Sequence, residues 1–368
     1  MQFRLPLQKR KLYSSIAFAG LFALAGIAAI IFVRAASPTA SVEPEKGQLS
    51  GNAVTGTSTA ASNNQYVTFK NGTTGGGGTF PKAGTLLGIF SDPNTGISSS
   101  VPVLEQNIGR KFDMRMRFYS TDALMPQLGG IKGDIANSGQ MQVVSWEPSG
   151  GWPSDQQVRD VANALKSDKP VQIRFAHEMN GNWYRWSQVS TDEYKANWRR
   201  VHDLVKGIAP NVLMNWAPFA YNVGKPYDQY YPGDDYVDVV GIDLYVEQPG
   251  ATMSSTAGGS LYAQIYNTYS GRKPFMIMET HNGPRKPSAH FTNKTAYYND
   301  FVGFLKKYPK TVGIVIFDEN KWDNEGTDMS IAKTPNGADN TANMNAFVNM
   351  TRDCYWGSDA RQNACRGF

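Results

Sequence analysis

Two glutamates stand at matching places in this sequence. Glu178 follows the largely apolar run Val171–His177, and Glu279 follows the apolar run Pro274–Met278; each is followed within a few residues by Asn and Gly. A strand-like run that ends abruptly in a carboxylate among hydrogen-bonding and aromatic side chains (His177, Asn180, Trp183, Tyr184, Trp186) reads as scaffold ending in a site. Paired carboxyls of this kind suit glycoside hydrolysis. One must be protonated to give its proton to the departing oxygen, and the other ionised to attack or stabilise the anomeric carbon. In a retaining enzyme the two carboxyls would stand ~5–5.5 Å apart.

The elements that must bring the pair together recur regularly. Apolar strand-like runs occur at Leu86–Phe90, Phe112–Tyr119, Met141–Trp146, Val171–Phe175, Val212–Trp216, Val237–Ile242, Phe275–Met278 and Val312–Phe317. Helical periodicity fills several gaps: Asp155–Lys166, Thr191–Ile208 (with Ser190 and Glu193 as a capping box) and Thr292–Tyr308. Eight strands alternating with helices predict an α/β fold, a (β/α)8 TIM barrel. A doubly wound sheet competes, but no Gly-x-Gly-x-x-Gly follows the first strand. A barrel also gathers the strand ends on one mouth: Trp146-Glu147-Pro148, Asn215-Trp216-Ala217-Pro218, Asp243-Leu244-Tyr245 and Phe317-Asp318 join the two glutamates there.

The ten residues His177-Glu178-Met179-Asn180-Gly181-Asn182-Trp183-Tyr184-Arg185-Trp186 resemble the acid/base motif of glycoside hydrolase family 26, usually HEMNGxWYPW. Val239–Tyr245 and Pro274–Glu279 resemble that family's sixth-strand motif and its approach to the nucleophile. The resemblance implies a retaining endo-β-1,4-mannanase-like barrel with Glu178 as acid/base and Glu279 as nucleophile. It further implies that His177 bonds the sugar or the nucleophile, Tyr245 orients Glu279, and Asn180 and Arg174 position the catalytic groups. Trp183 and Trp322 would be stacking platforms, and Tyr184, Trp186 and Trp216 complete the expected substrate contacts. Three positions depart from the family pattern: Arg185 replaces the usual Pro, Thr280-His281 follow the nucleophile, and Phe317-Asp318 end the eighth strand. Mixed-linkage β-glucan is therefore the alternative substrate. A surface glycan-binding protein that no longer turns over is the alternative of another class.

Other residues carry plainer readings. Glu147 serves either the cleft rim or a salt bridge, and Asp318 is open between a sugar hydroxyl and a structural partner. Asp243 reads as a hydrogen-bonder inside the barrel, and Trp198 and Tyr297 as core. His281 and His290 lack metal-ligand spacing, so no metal and no cofactor are expected. No nucleophile elbow supports a protease or esterase.

The first 36 residues are basic, then apolar over Ile16–Val33, with Val33-Arg34-Ala35 fitting a cleavage site. They read as a signal peptide or, being about long enough to span a bilayer, as an uncleaved membrane anchor. Either places the rest outside the cytoplasm, secreted or held on the outer face of the cell membrane. Residues 37–82 are Gly/Ser/Thr-rich and read as a flexible linker. Within it, 51–72 alternates like two short strands and resembles the opening of carbohydrate-binding modules of families 6 and 35. The hydrolase domain is expected over 83–350 and a C-terminal tail over 351–368, where Cys354 and Cys365, the only two cysteines, would pair if the protein is exported. The net charge of +5 is small for 368 residues and partly N-terminal, so nucleic acid is not an expected partner. The expected partner is a β-linked polysaccharide, met by a monomer. Aromatics at 12% of residues, 8 Trp and 18 Tyr among them, supply flat faces suited to sugar rings.

Overall fold

The computed structural model describes residues 53–57, 65–69, 85–92, 98–255, 257–283, 285–286, 293–321, 326–333 and 338–357. Ile16–Val33, His290, Trp322 and Cys365 lie outside the described residues, as do the expected cleavage site and most of the linker. The chain divides into two units, 1–73 and 74–368. In the first, strands β1 (Ala53–Thr57) and β2 (Gln65–Phe69) form an antiparallel pair with Ala53 opposite Phe69. The two short strands expected within 51–72 are thus present at these residues.

In the second unit eight parallel strands close into a barrel. They are β3 (Leu86–Ser91), β4 (Met114–Ser120), β5 (Met141–Glu147), β6 (Val171–Phe175), β7 (Val212–Trp216), β8 (Val239–Asp243), β9 (Phe275–Thr280) and β10 (Thr311–Asp318). Each coincides with one of the eight apolar runs, because a strand covered on both faces is apolar nearly throughout. Closure comes from β10 pairing with β3, Gly313 against Leu86 through Asp318 against Ser91. Side chains alternate between two cores. Met114, Met116, Val143, Leu213, Val239, Met276, Met278, Val315 and Phe317 pack inside the barrel. Leu87, Ile89, Val144, Ile173, Val240, Ile277, Ile314 and Ile316 pack between sheet and helices.

The helices include α1 (Val101–Ile108), α2 (Thr121–Asn137), α3 (Asp155–Leu165), α4 (Thr191–Ile208), α5 (Ala257–Tyr269), α6 (Thr295–Leu305) and α7 (Thr341–Arg352). The helix start at Ser190 is where the sequence predicts it, but only half a capping box forms. Ser190 Oγ accepts from Glu193 N, while the Glu193 carboxylate accepts from Trp152 Nε1 at 2.9 Å. The complete box caps α3, between Ser154 and Gln157. α2 has little sequence signal because Pro126, Gly129, Gly130 and Gly133 fall inside it. Trp198 and Tyr297 are buried core, as expected. Among the described residues no helix is long and apolar enough to cross a membrane. Cys354 is disulfide-bonded.

Candidate active site

At the end of β6 the backbone turns twice through the left-handed region, at Ala176 (φ 46°) and Glu178 (φ 50°). For residues with a Cβ this conformation costs roughly 1–2 kcal/mol each. Neighbouring strands hold it: Ala176 N donates to Trp146 O at 3.0 Å and Glu178 N to Ala217 O at 2.8 Å. The double turn brings both His177 and Glu178 to the mouth, where a regular strand would send them to opposite faces. The following loop is fastened by its own motif. Trp186 Nε1 donates to His177 O at 2.6 Å, Tyr184 stacks on Trp186 with centroids 4.3 Å apart, and Gly181 N donates to Glu178 O at 2.9 Å.

Glu279 is aimed by a different device. On β9, Met276 and Met278 point into the barrel, while Phe275 and Ile277 point out. Strict alternation would turn Glu279 outward. Both neighbours of β9 slip register here: Ile242 pairs with Ile277 but Asp243 with Glu279, and Ile314 pairs with Ile277 but Ile316 with Thr280. The extra residue is a β-bulge that lets Met278 and Glu279 face inward in succession. Thr280 then points out, its hydroxyl 2.7 Å from that of Tyr297.

Arg174, fully buried on β6, ties the floor of the site together. Its Nη1 donates to Ser145 Oγ at 3.0 Å, its Nη2 bonds Asp243 Oδ2, and Nη1 lies 2.6 Å from Glu279 Oε1. The contact to Glu279 is an ion pair off the hydrogen-bond direction, since Oε1 has no hydrogen-bond partner. The other carboxylate oxygen, Oε2, accepts a short bond from Tyr245 Oη. Burial alone would lower the Arg174 pKa, but Asp243, Glu279 and Glu178 raise it, so the guanidinium stays charged. Burial also pushes the Asp243 carboxyl up, against the pull of Arg174. We take Asp243 as ionised because it is in direct contact with that cation.

The two glutamates differ in surroundings. Burial, and then the neighbouring Glu279, push the Glu178 carboxyl up to about 8, opposed by Arg174 and by the bond that Trp183 Nε1 donates to Oε2 at 2.8 Å. Glu279 instead sits between a guanidinium and a phenol donor. His177, buried and near Arg174, is held well below the usual imidazole range and is neutral. Its Nε2 lies 3.2 Å from Tyr184 Oη, 3.8 Å from Glu147 Oε1 and 3.9 Å from Glu279 Oε1. Burial raises Glu147 as well.

Glu178, Glu279, Trp183, Tyr184, Tyr245 and Glu147 line one cleft of about 1020 Å³. Trp183 is 45% exposed, which leaves a ring free for a sugar. Arg174 and His177 lie behind the cleft wall, reaching Glu279 as described. Three expected substrate contacts are corrected. Asn180 is buried and spends its amide on the next loop, donating to Phe219 O and Tyr221 O at 2.9 and 3.1 Å and accepting from Phe219 N at 2.9 Å. Trp186 is buried beneath Tyr184, and Trp216 is buried against Tyr231 and Tyr269.

Two of the family departures also face away from the cleft. Arg185 Nη1 donates to Gly150 O at 3.1 Å, bracing the loop after β5. His281 is buried with Nε2 2.5 Å from Tyr298 Oη. Asp318 is buried and accepts from Ile331 N at 2.7 Å, a structural partner. Phe317, expected at the mouth, lines the cleft, while sequence reasoning missed Phe118, Phe219 and the charged rim of Glu247, Arg285 and Lys321, which line it too. Phe118 was legible: it follows Met114 and Met116 at a spacing of two, so it had to point inward. Among the described residues no cluster of His, Cys, Asp or Glu could hold a metal ion.

The model of glycosyl hydrolase family 26 matches residues 153–308. The chain is 28% identical over 264 residues to Endoglucanase H of Acetivibrio thermocellus, covering 64% of this chain and 28% of that protein. It is 27% identical over 207 residues to a mannan endo-1,4-β-mannosidase of Bacillus subtilis, covering 52% of each. The chain thus spans about half or less of the length of these relatives. Its fold is shared with a family 26 β-mannanase from Bacteroides ovatus (TM-score 0.55, 19% identity, 76% of this chain and 91% of that one). It is shared also with an endo-β-1,4-mannanase from Cellulomonas fimi (TM-score 0.55, 17% identity, 76% and 72%).

Proposed function

We propose that this chain is a member of glycosyl hydrolase family 26, a reading that its match over residues 153–308 and its barrel support, and that it is an exported retaining endo-β-glycanase acting first on β-1,4-mannan. The observation that carries the reading is the pairing of two glutamates in one cleft under opposite influences. Glu178 keeps its proton near neutrality, and Glu279 is held beside Arg174 and Tyr245. In the first step a Glu279 oxygen attacks the anomeric carbon while Glu178 passes its proton to the departing glycosidic oxygen. The bond between sugars breaks and a glycosyl ester on Glu279 forms. In the second step the Glu178 carboxylate takes a proton from water, whose oxygen attacks the same carbon and frees Glu279.

Mannan is placed first because several of the relatives are named mannan endo-1,4-β-mannosidases, and mixed-linkage β-glucan second because another is named an endoglucanase. The basic and then apolar opening of the chain supports export. Glu178→Ala and Glu279→Ala should each abolish release of reducing sugar from the best of mannan, glucomannan, barley β-glucan and xylan. Azide should partly rescue Glu178→Ala by replacing water in the second step. Full activity in either variant would sink the assignment.

A further inference from the structure

Strand β4 reads Met-Arg-Met-Arg-Phe-Tyr-Ser, and its period of two splits it cleanly. Met114, Met116 and Phe118 belong to the barrel interior, which leaves Arg115, Arg117 and Tyr119 in a column on the outer face. On the neighbouring strands β3 and β5 that face carries apolar side chains packed under helices, such as Ile89 and Val144. Here it lines a cavity. Arg115, Arg117 and Tyr119, with Ser100 and Val101 at the start of α1, share one continuous cleft with Glu178 and Glu279. The opening follows from the topology. β3 and β4 are in register only at Gly88–Met114 and Ile89–Arg115, while β4 and β5 stay paired through Ser120 and Glu147. Beyond Ile89 the pairing of β3 with β4 ends.

The charges in this side pocket are unequal. Arg117 is matched, with Asp134 Oδ2 at 2.9 Å and Gln142 Oε1 at 3.0 Å. Arg115 makes no hydrogen bond or ion pair among the described residues, although it is half-buried. Burial, and then the charge of Arg117, lower its pKa from the ordinary value, opposed by Asp134 and Glu105. A partly desolvated guanidinium without a partner is a cost that an anion would remove, and its planar fork matches a carboxylate. Asp134 of α2 and Glu105 of α1 act on Arg115 without bonding it, Asp92 also lines the cleft, and Ser100 makes no side-chain cap.

We propose that this side pocket binds an anionic substituent of the glycan, the carboxylate of a uronic acid unit, on the Arg115 fork. The enzyme would then cut its chain at a set distance from an acidic sugar. The inference rests on the glycanase reading above, because it needs a glycan lying in the main cleft. A sulfate ester shares the anionic chemistry but lacks the planar geometry.

Titration calorimetry on the full chain carrying Glu178→Gln tests it, with mannotetraose, mannotetraose bearing one glucuronate, the carboxyl-reduced form of the latter, and a monosulfated mannotetraose. The glucuronate form should bind roughly tenfold more tightly than its reduced form at low salt, the scale of one charge-assisted hydrogen bond. Arg115→Gln in the same background should erase that preference and leave mannotetraose binding unchanged. The comparison of acidic and reduced ligands needs no Arg115 variant, so it stands even if that variant fails to fold. Equal binding of the two forms, with mannotetraose still bound, overturns the acidic pocket alone. A preference for the sulfated ligand overturns the carboxylate assignment. If none of the four binds, the glycanase reading itself has failed.

Discussion

Trp183 Nε1 donates to Glu178 Oε2 over 2.8 Å, so the exposed ring that would carry a sugar also sets the acidity of the group that would protonate it. The bond favours the ionised carboxylate and works against burial, which raises the pKa. The proposed proton donor and the proposed sugar platform are therefore one mechanical unit.

Replacing Trp183 by Phe keeps an aromatic face and removes the donor. The Glu178 pKa should rise further. In the proposed first step Glu178 must be protonated, so activity should be lost as pH climbs through its pKa. The alkaline limb of the kcat/KM profile should move to higher pH in Trp183→Phe. A limb that stays put or moves down would separate the ring from the acidity of Glu178.

Glu178 should also cost stability. Its folded-state pKa of about 8 lies above the ordinary 4.5, so between those values the folded protein binds more protons than the unfolded chain. Stability from this group is therefore fully present below pH 4.5 and is lost as pH rises toward 8. Glu178→Gln lacks that loss. Urea unfolding should show the variant equal to wild type at pH 4 and more stable at pH 8–9, by on the order of a few kcal/mol. A gap that does not change with pH would contradict the buried, protonated state.

Tyr245→Phe removes the phenol donor to Glu279 Oε2 while leaving the ring against Phe317. A hydrogen bond to a charged group contributes about 1.5–3 kcal/mol, so kcat should fall roughly 10- to 150-fold with the fold intact. Pre-steady-state kinetics should assign the loss to a step in which the charge on Glu279 changes. Unchanged kcat would leave Tyr245 as packing only.

The barrel was legible because its strands are buried on both faces, and eight apolar runs are hard to mistake for anything else. The glutamates were legible because each ends such a run. Which way a strand-end side chain points was not. Asn180 and Trp186 have the residue types of sugar contacts, yet they are spent on loop fastening and core, because Ala176 and Glu178 leave the ordinary backbone region and break the alternation. Trp216 is the simpler case: the unbroken period of β7 puts it outside with Val212 and Met214, opposite Leu213. The bulge that turns Glu279 inward is likewise a matter of register between strands, which no single run of residues encodes. Arg115 and Arg117 show the opposite case: where the alternation is unbroken, the sequence alone puts two cations on a face that should be apolar.

Arg174 gives the sharpest test of how the floor of the site is held. It is fully buried with Asp243 and Glu279 against its guanidinium. Arg174→Met keeps much of the volume but leaves two carboxylates in the barrel without their cation, a loss of about 3–5 kcal/mol at neutral pH. The deficit must then depend on pH in a fixed direction. Burial already pushes the Asp243 carboxyl up, and without the guanidinium the pull of Arg174 no longer opposes that push, so the folded variant takes up a proton as pH falls and regains stability toward pH 4. Urea midpoints of wild type and variant should therefore converge between pH 7 and pH 4. A deficit that holds constant across that range would mean that the loss comes from packing, and that Arg174 does not neutralise Asp243 and Glu279 in the wild-type protein.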